Sequence, residues 1–172
     1  MAKPKRNDFN KYLAELDEAA LRAELSKLFD KLPQVQEFYA QELMSESERK
    51  AMLEAYKKKV YSQFWTRGEN PRNASNAELK RLLTDFEQVS VFPHELIDLL
   101  LYRVEVATDV AQQFGGLSEG DYNAAHTAFV KAVKLMHAHQ LMEHFQERCE
   151  ALFQQDSVGH GYIESLEEAY YN

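Results

Sequence analysis

The sequence predicts an all-α protein. Apolar residues recur at helical spacing along most of the 172 residues, and the stretch 93–114 is apolar on more than one face. Six glycines and four prolines are too few for the turns of a many-stranded sheet. We therefore expect a single multi-helix domain, either an irregular bundle or a short, solenoid-like stack of helical pairs.

The residues before the connection QELMSESER, which begins at Gln41, predict three short helices. Phe9 and Tyr12 begin an apolar stripe at i, i+3, i+4 and i+7 spacing, and residues 21–32 carry the stripe of a second helix. This second helix should stop before Pro33, because a proline keeps the preceding residue out of the α conformation. Pro33 itself can open the third helix.

Two serine caps predict the next two helices. Ser45 with Glu48 and Ser75 with Glu78 have the spacing of a capping box, in which the serine and the acid satisfy each other's free backbone amides. An apolar stripe follows each serine at helical spacing. The glycine, proline and asparagines between them, in residues 66–76, predict a loop.

The helix over residues 93–114 is the predicted centre of the fold. Pro93 can occupy a first turn without wasting an amide, and Gly115 can take the left-handed conformation that closes a helix. Because apolar residues cover nearly its whole circumference, other helices must cover it on several sides.

The last third of the chain predicts two or three more helices. Ser118 or Asp121 should begin the first of them, which either breaks at residues 137–140 or continues through 141–152. The terminal segment 157–172 has a short apolar stripe and is expected to dock on the core. The chain length then suits one domain over residues 1–172.

Composition limits the classes of protein that this chain can belong to. Its 45% hydrophobic and 12% aromatic residues exclude a disordered chain. Cys149 is the only cysteine, so it can form no internal disulfide, and a reducing cytoplasm is expected. No secretory signal and no membrane-spanning stretch is predicted, and we expect no cofactor.

Charge is distributed unevenly along the chain. Against a net charge of −8, residues 49–81 carry +6 and residues 82–172 carry −11. The segment 57–81 interleaves cations with aromatic rings, which suits a phosphate backbone or unstacked bases. The predicted anion-binding or partner-binding residues are Lys57, Lys58, Lys59, Trp65, Arg67, Arg72, Lys80 and Arg81. Alternatively, the rings close the helix against the core and the cations face solvent or the acidic half of the fold.

Titratable residues elsewhere offer weaker candidates for catalysis or metal binding. His137 and His139 point about 200° apart on a helix and cannot share a metal. Asp98 and Glu105 lie on the central helix, where buried charge must be paired or hydrated. Arg103 and nearby tyrosines could satisfy them, or they could act as acid and base together with the histidines. The sequence leaves that convergence open, so no catalytic or metal site is assigned.

Three stretches together resemble a known family. Their order and spacing are similar to those of small helical bacterial proteins catalogued only as a domain of unknown function, of the DUF 6155 type. The resemblance covers nearly the whole chain and implies one helical bacterial protein without assigned catalytic or binding residues. The stretches are VYSQFWTRG (60–68), DLLLYRVEVATD (98–109) and FQERCEALF (145–153).

The function expected from these patterns is a protein-binding or adaptor module in the bacterial cytoplasm. It rests on the absence of catalytic motifs and on the charge asymmetry, and its expected partner is a protein. The alternative is nucleic-acid or phosphate-ligand binding through residues 57–81. A hydrolase is the third hypothesis and requires Asp98, Glu105 and the histidines to converge. The sequence does not decide between a monomer and a homo-oligomer.

Overall fold

The computed structural model of the protein describes residues 5–68, 70–156, 159 and 161–172, without the side chains of residues 37, 38 and 41. Throughout this described part the regular structure is helical, and Trp65 and Pro71 form an isolated bridge. The predicted all-α class is confirmed. The chain divides into two compact units, Met1–Met44 and Ser45–Asn172. The single domain expected over residues 1–172 therefore stays a prediction.

The described residues of the first unit form three helices, of which α2 and α3 pack against each other. Asp17 caps α2, since its carboxylate accepts the Ala20 amide at 2.8 Å. Leu32 ends α2 in an extended conformation directly before Pro33, as predicted. The helices are α1 (Arg6–Ala14), α2 (Glu18–Lys31) and α3 (Pro33–Glu42).

The second unit contains the remaining helices of the described chain. Its residue ranges are α4 (Glu46–Phe64), α5 (Asn76–Val89), α6 (Pro93–Phe114), α7 (Glu119–Ala138), α8 (Met142–Phe153) and α9 (Tyr162–Tyr171). The predicted bounds of the central helix, residues 93–114, are confirmed. Of the two alternatives left open for residues 137–152, the structure has the break, since α7 ends at Ala138, α8 begins at Met142 and Gln140 between them adopts φ 58°.

Local signals account for most helix ends. Ser45 and Glu48 form the predicted capping box. Ser75 accepts the Glu78 amide at 3.3 Å, but the Glu78 carboxylate binds Arg81 instead of completing the box. Gly115 ends α6 at φ 79°, a left-handed conformation that is strained for a residue with a side chain.

Helix α6 is enclosed by its neighbours, as its apolar circumference requires. It contacts α4, α5, α7 and α8, and Leu99 and Val104 have no solvent exposure. A continuous core forms around them with Phe64, Phe86 and Phe129. Each fully buried side chain of this size contributes about 1.5–3 kcal/mol to folding.

The terminal helix α9 packs on α7 and α8 of the same unit. Its Tyr162, Ile163, Leu166 and Tyr170 are buried in the core cluster. Residues 157, 158 and 160 of the segment that was expected to dock lie outside the described residues. Over the residues that are described, no helix combines the length and the apolar composition needed to cross a membrane.

Candidate functional site

Two residues of the predicted basic segment face the protein rather than solvent. Lys57 donates to Asp98 of α6 at 2.9 Å and lies over the Tyr102 ring at 5.6 Å. Trp65 is buried, with ring centroids of Tyr61 and Phe114 at 6.0 and 5.6 Å. Lys57 is therefore neutralised, and Trp65 cannot present its face to a base.

The other six predicted residues are exposed and have different surroundings. Arg81 pairs with Glu78 and Asp85, Arg72 donates to the Ser62 carbonyl at 3.2 Å, and Lys59 lies 4.5 Å from the Tyr56 ring centre. Lys58, Arg67 and Lys80 are exposed without a described partner. The structure therefore does not present the eight residues as one uncompensated cationic surface.

Asp98 and Glu105 converge on Arg148 of α8. The guanidinium donates through Nη1 to Asp98 Oδ1 and through Nε to Glu105 Oε1, and its Nη2 reaches Glu105 Oε2 at 2.8 Å. Lys57 takes the remaining Asp98 oxygen. Every carboxylate oxygen of this four-residue ionic network accepts a hydrogen bond from a cation.

This ionic network clamps α4, α6 and α8 together. Burial opposes the charged form, but pairing with Glu105 and then Asp98 raises the pKa of Arg148 above its ordinary value. Among the described residues, no histidine has a hydrogen bond or ion pair with either carboxylate. The geometry is that of a structural clamp, since both carboxylates are already used as acceptors.

Arg103 does not satisfy these carboxylates, so that prediction is wrong. It lies about 140° around the helix from Asp98 and about 200° from Glu105. It points towards α5 and donates to Asn76 Oδ1 at 3.2 Å. The helical spacing alone placed Arg103 on another face, whereas the approach of Arg148 from α8 requires the tertiary fold.

Cys149 is buried, and the described histidines belong to no metal ligand set. Burial raises the pKa of the Cys149 thiol to about 12, which keeps it protonated at neutral pH. Within the described ranges, no three His, Cys, Asp or Glu side chains lie together as a metal ligand set.

The first unit contains an exposed apolar groove. The sequence pattern predicted an apolar stripe on α2 but did not show that this stripe is exposed. Its volume is about 460 Å³, and Leu25 and Phe29 of α2 form one wall. Tyr39 of α3 and Leu43 just after it line the groove as well, and Asp30 is the one charged residue among the side chains described in its lining. None of the side chains described between residues 5 and 44 is buried. Helical spacing had identified the stripe on α2, but only the fold shows that it faces outwards.

Comparison with family models identifies the family of this chain. A family model described as a family of unknown function, DUF6155, matches residues 3–168. The three stretches that carry the resemblance lie inside this match, and two of them supply Asp98, Glu105 and Arg148 of the ionic network. No curated protein and no solved structure matches the chain.

Proposed function

Since the chain belongs to the DUF6155 family, whose function is unknown, we propose from its own structure that it is a protein-binding module. Its docking surface is the groove of the first unit, and its partner presents an amphipathic helix. We place this activity in the bacterial cytoplasm, where the single buried cysteine stays reduced. The exposed apolar groove is the observation that carries the proposal.

The first unit has the composition of a folded helical segment but buries none of its described side chains. Leu25, Phe29 and Leu43 keep 55%, 37% and 71% of their surface exposed. A segment of about 40 residues cannot maintain three helices from helix propensity alone and normally needs further burial. Contact with a partner would supply that burial.

The shape and chemistry of the groove favour a helix over a small polar ligand. Two helices form its walls, and the side chains described in its lining are mainly apolar, with Asp30 as the one charged residue among them. An amphipathic helix fills such a groove with apolar residues at i, i+3, i+4 and i+7. Burying the remaining surface of Leu25, Phe29 and Leu43 would contribute on the order of 1 kcal/mol each.

Site-specific photo-crosslinking in cells tests the proposal. A photoreactive amino acid replaces Ser26, which lines the groove, and in the control it replaces Lys27, which lies about 100° further around α2. We expect one protein adduct through position 26 and none through position 27. The identified partner is then purified, and its affinity for the full chain is measured by calorimetry.

Groove variants decide whether that partner binds as proposed. Leu25→Gln plus Phe29→Gln should weaken binding about 30-fold, because two apolar side chains no longer transfer from water. Arg22→Gln on the same helix breaks an exposed pair with Glu18 and should change affinity less than twofold. Equal affinity of the groove variant would overturn the proposal. The proposal would also be overturned if the purified chain alone forms a dimer and the groove variant disrupts that dimer.

Nucleic-acid or phosphate binding through residues 57–81 remains the second hypothesis. Lys58 and Arg67 are exposed and have no described partner. Polyanion affinity that falls steeply with salt and is lost in Lys58→Glu plus Arg67→Glu would favour it. Because Lys57, Trp65 and Arg81 are paired or buried, we expect at most weak binding at low salt.

A further inference from the structure

A second cavity lies in the other unit, between α5, α6 and α7. It has a volume of about 360 Å³, and its apolar wall consists of two leucines and two alanines. Three cations, Lys80, Arg103 and Lys131, also line it, and none of the described lining residues is a carboxylate. A cationic cavity of this kind stands out in a chain with a net charge of −8.

Arg103 is the unusual residue of this cavity. Its side chain is only 2% exposed, and its Nη1 has no hydrogen-bond partner among the described residues. Its Nη2 donates to Asn76 Oδ1, and Asn76 Nδ2 donates in turn to Asp121 Oδ1 at 2.7 Å. No described carboxylate pairs with Arg103 directly. The charge of Asp121 acts on Arg103 without a direct ion pair, so an anion in the cavity would give this buried guanidinium a direct charge partner.

The two lysines differ in how far their charge is already compensated. Lys131 pairs with Glu87 at 2.5 Å. Lys80 is exposed at the cavity and has no ion-pair partner in the described chain. Among the described residues, Arg103 and Lys80 are therefore the two cations of the lining that form no direct ion pair, one buried in the wall and one at the surface.

We propose that this cavity binds a small organic anion, a carboxylate or phosphate monoester on an apolar body, through Arg103 and Lys80. A guanidinium offers paired N–H groups that match the oxygens of either headgroup. The leucine and alanine walls take the apolar body. Since one water occupies about 30 Å³ of liquid, the volume admits roughly a dozen non-hydrogen atoms. This site is separate from the helix-binding groove, so either proposal can fail alone.

Calorimetric titration of the full chain tests the site, with benzoate and phenyl phosphate as probes and benzamide as the neutral match. We expect saturable binding of at least one anion and none of benzamide at the same concentration. Arg103→Met should weaken binding about 30-fold or more, because the anion then loses its buried charge partner. Lys80→Met, which changes no packed residue, should weaken it about fivefold.

Controls separate this site from general anion effects. Lys134→Met removes an exposed lysine from α7 outside the cavity lining and should leave affinity unchanged. Equal binding to Arg103→Met, confirmed as folded by circular dichroism, would overturn the proposal, and so would unchanged affinity of Lys80→Met. The absence of binding by both anions would also overturn it. If chloride alone saturates the site and excludes both probes, the cavity holds an adventitious ion only and the proposal is wrong.

Discussion

Replacing Arg148 with methionine should destabilise the fold, because the guanidinium is the shared partner of two carboxylates. Asp98 keeps Lys57, but Glu105 loses both of its hydrogen bonds from Arg148. The side chains of Arg148, Asp98 and Glu105 are 29%, 24% and 27% exposed, between a buried and a surface ion pair. Removing one partner of a buried pair costs about 3–5 kcal/mol, and a surface pair contributes up to about 1 kcal/mol.

We therefore expect Arg148→Met to lower the free energy of unfolding by about 2–3 kcal/mol. That loss corresponds to a decrease in Tm of about 4–12 °C for a chain of this size. Urea and thermal unfolding followed by circular dichroism measure both quantities. Adding Glu105→Gln to Arg148→Met should restore about 1 kcal/mol, since the unpaired carboxylate is then removed.

The matched control is Arg22→Met, which breaks the exposed pair with Glu18. Those two side chains are 78% and 81% exposed, so the expected loss is below about 0.5 kcal/mol. If Arg148→Met costs no more than Arg22→Met, the ionic network does not clamp the helices and the reasoning is refuted. An additive double variant with Glu105→Gln would refute the pairing itself.

Three further outcomes follow from burial. Burial raises the pKa of Cys149 to about 12, so the folded protein should resist a thiol-reactive disulfide at pH 7.5 and the unfolded protein in urea should react fully. Rapid reaction of the folded protein would contradict the burial of Cys149. Burial raises the pKa of Tyr162 from 10.0 to about 12, so the folded state retains a proton that the unfolded state loses. The free energy of unfolding therefore keeps its full value below pH 10 and falls as the pH rises from 10 towards 12, with a loss of about 1 kcal/mol at pH 11. Tyr162→Phe should remove this loss of stability at alkaline pH. At pH 7 it should change the free energy of unfolding little, because the Tyr162 hydroxyl has no well-formed hydrogen bond and neighbouring Thr108 donates to the Val104 carbonyl. Identical pH profiles of the variant and the original protein would refute this assignment. Leu99→Ala should cost about 2–5 kcal/mol in urea unfolding and Leu43→Ala under about 0.5, and similar losses would contradict the assigned core.

Local chemistry made the helix ends predictable. Pro93, Gly115 and the Ser45–Glu48 pair act through backbone amides within a few residues, so their effects can be inferred without the fold. The same reasoning failed for Glu78, because Arg81 three residues further on competes for its carboxylate. Where two local partners are available, spacing alone does not decide between them.

The candidate sites depended on contacts between distant segments. Arg148 lies 50 residues from Asp98 and 43 from Glu105, so no helical spacing could pair them. The prediction for Trp65 named both possible positions, at a binding surface or inside the fold, and the packing of Phe114 against it shows that it is buried.

The helical class, the limits of α6 and its need to be covered on several sides follow from the amino-acid pattern alone, because periodicity and capping act within a few turns. Which apolar stripes are covered and which cations are neutralised depends on how the helices pack. The stripe on α2 and the one on α6 follow the same spacing, yet Leu25 is exposed and Leu99 is buried. Burial and ion pairing depend on which helices meet, and that is a property of the whole chain.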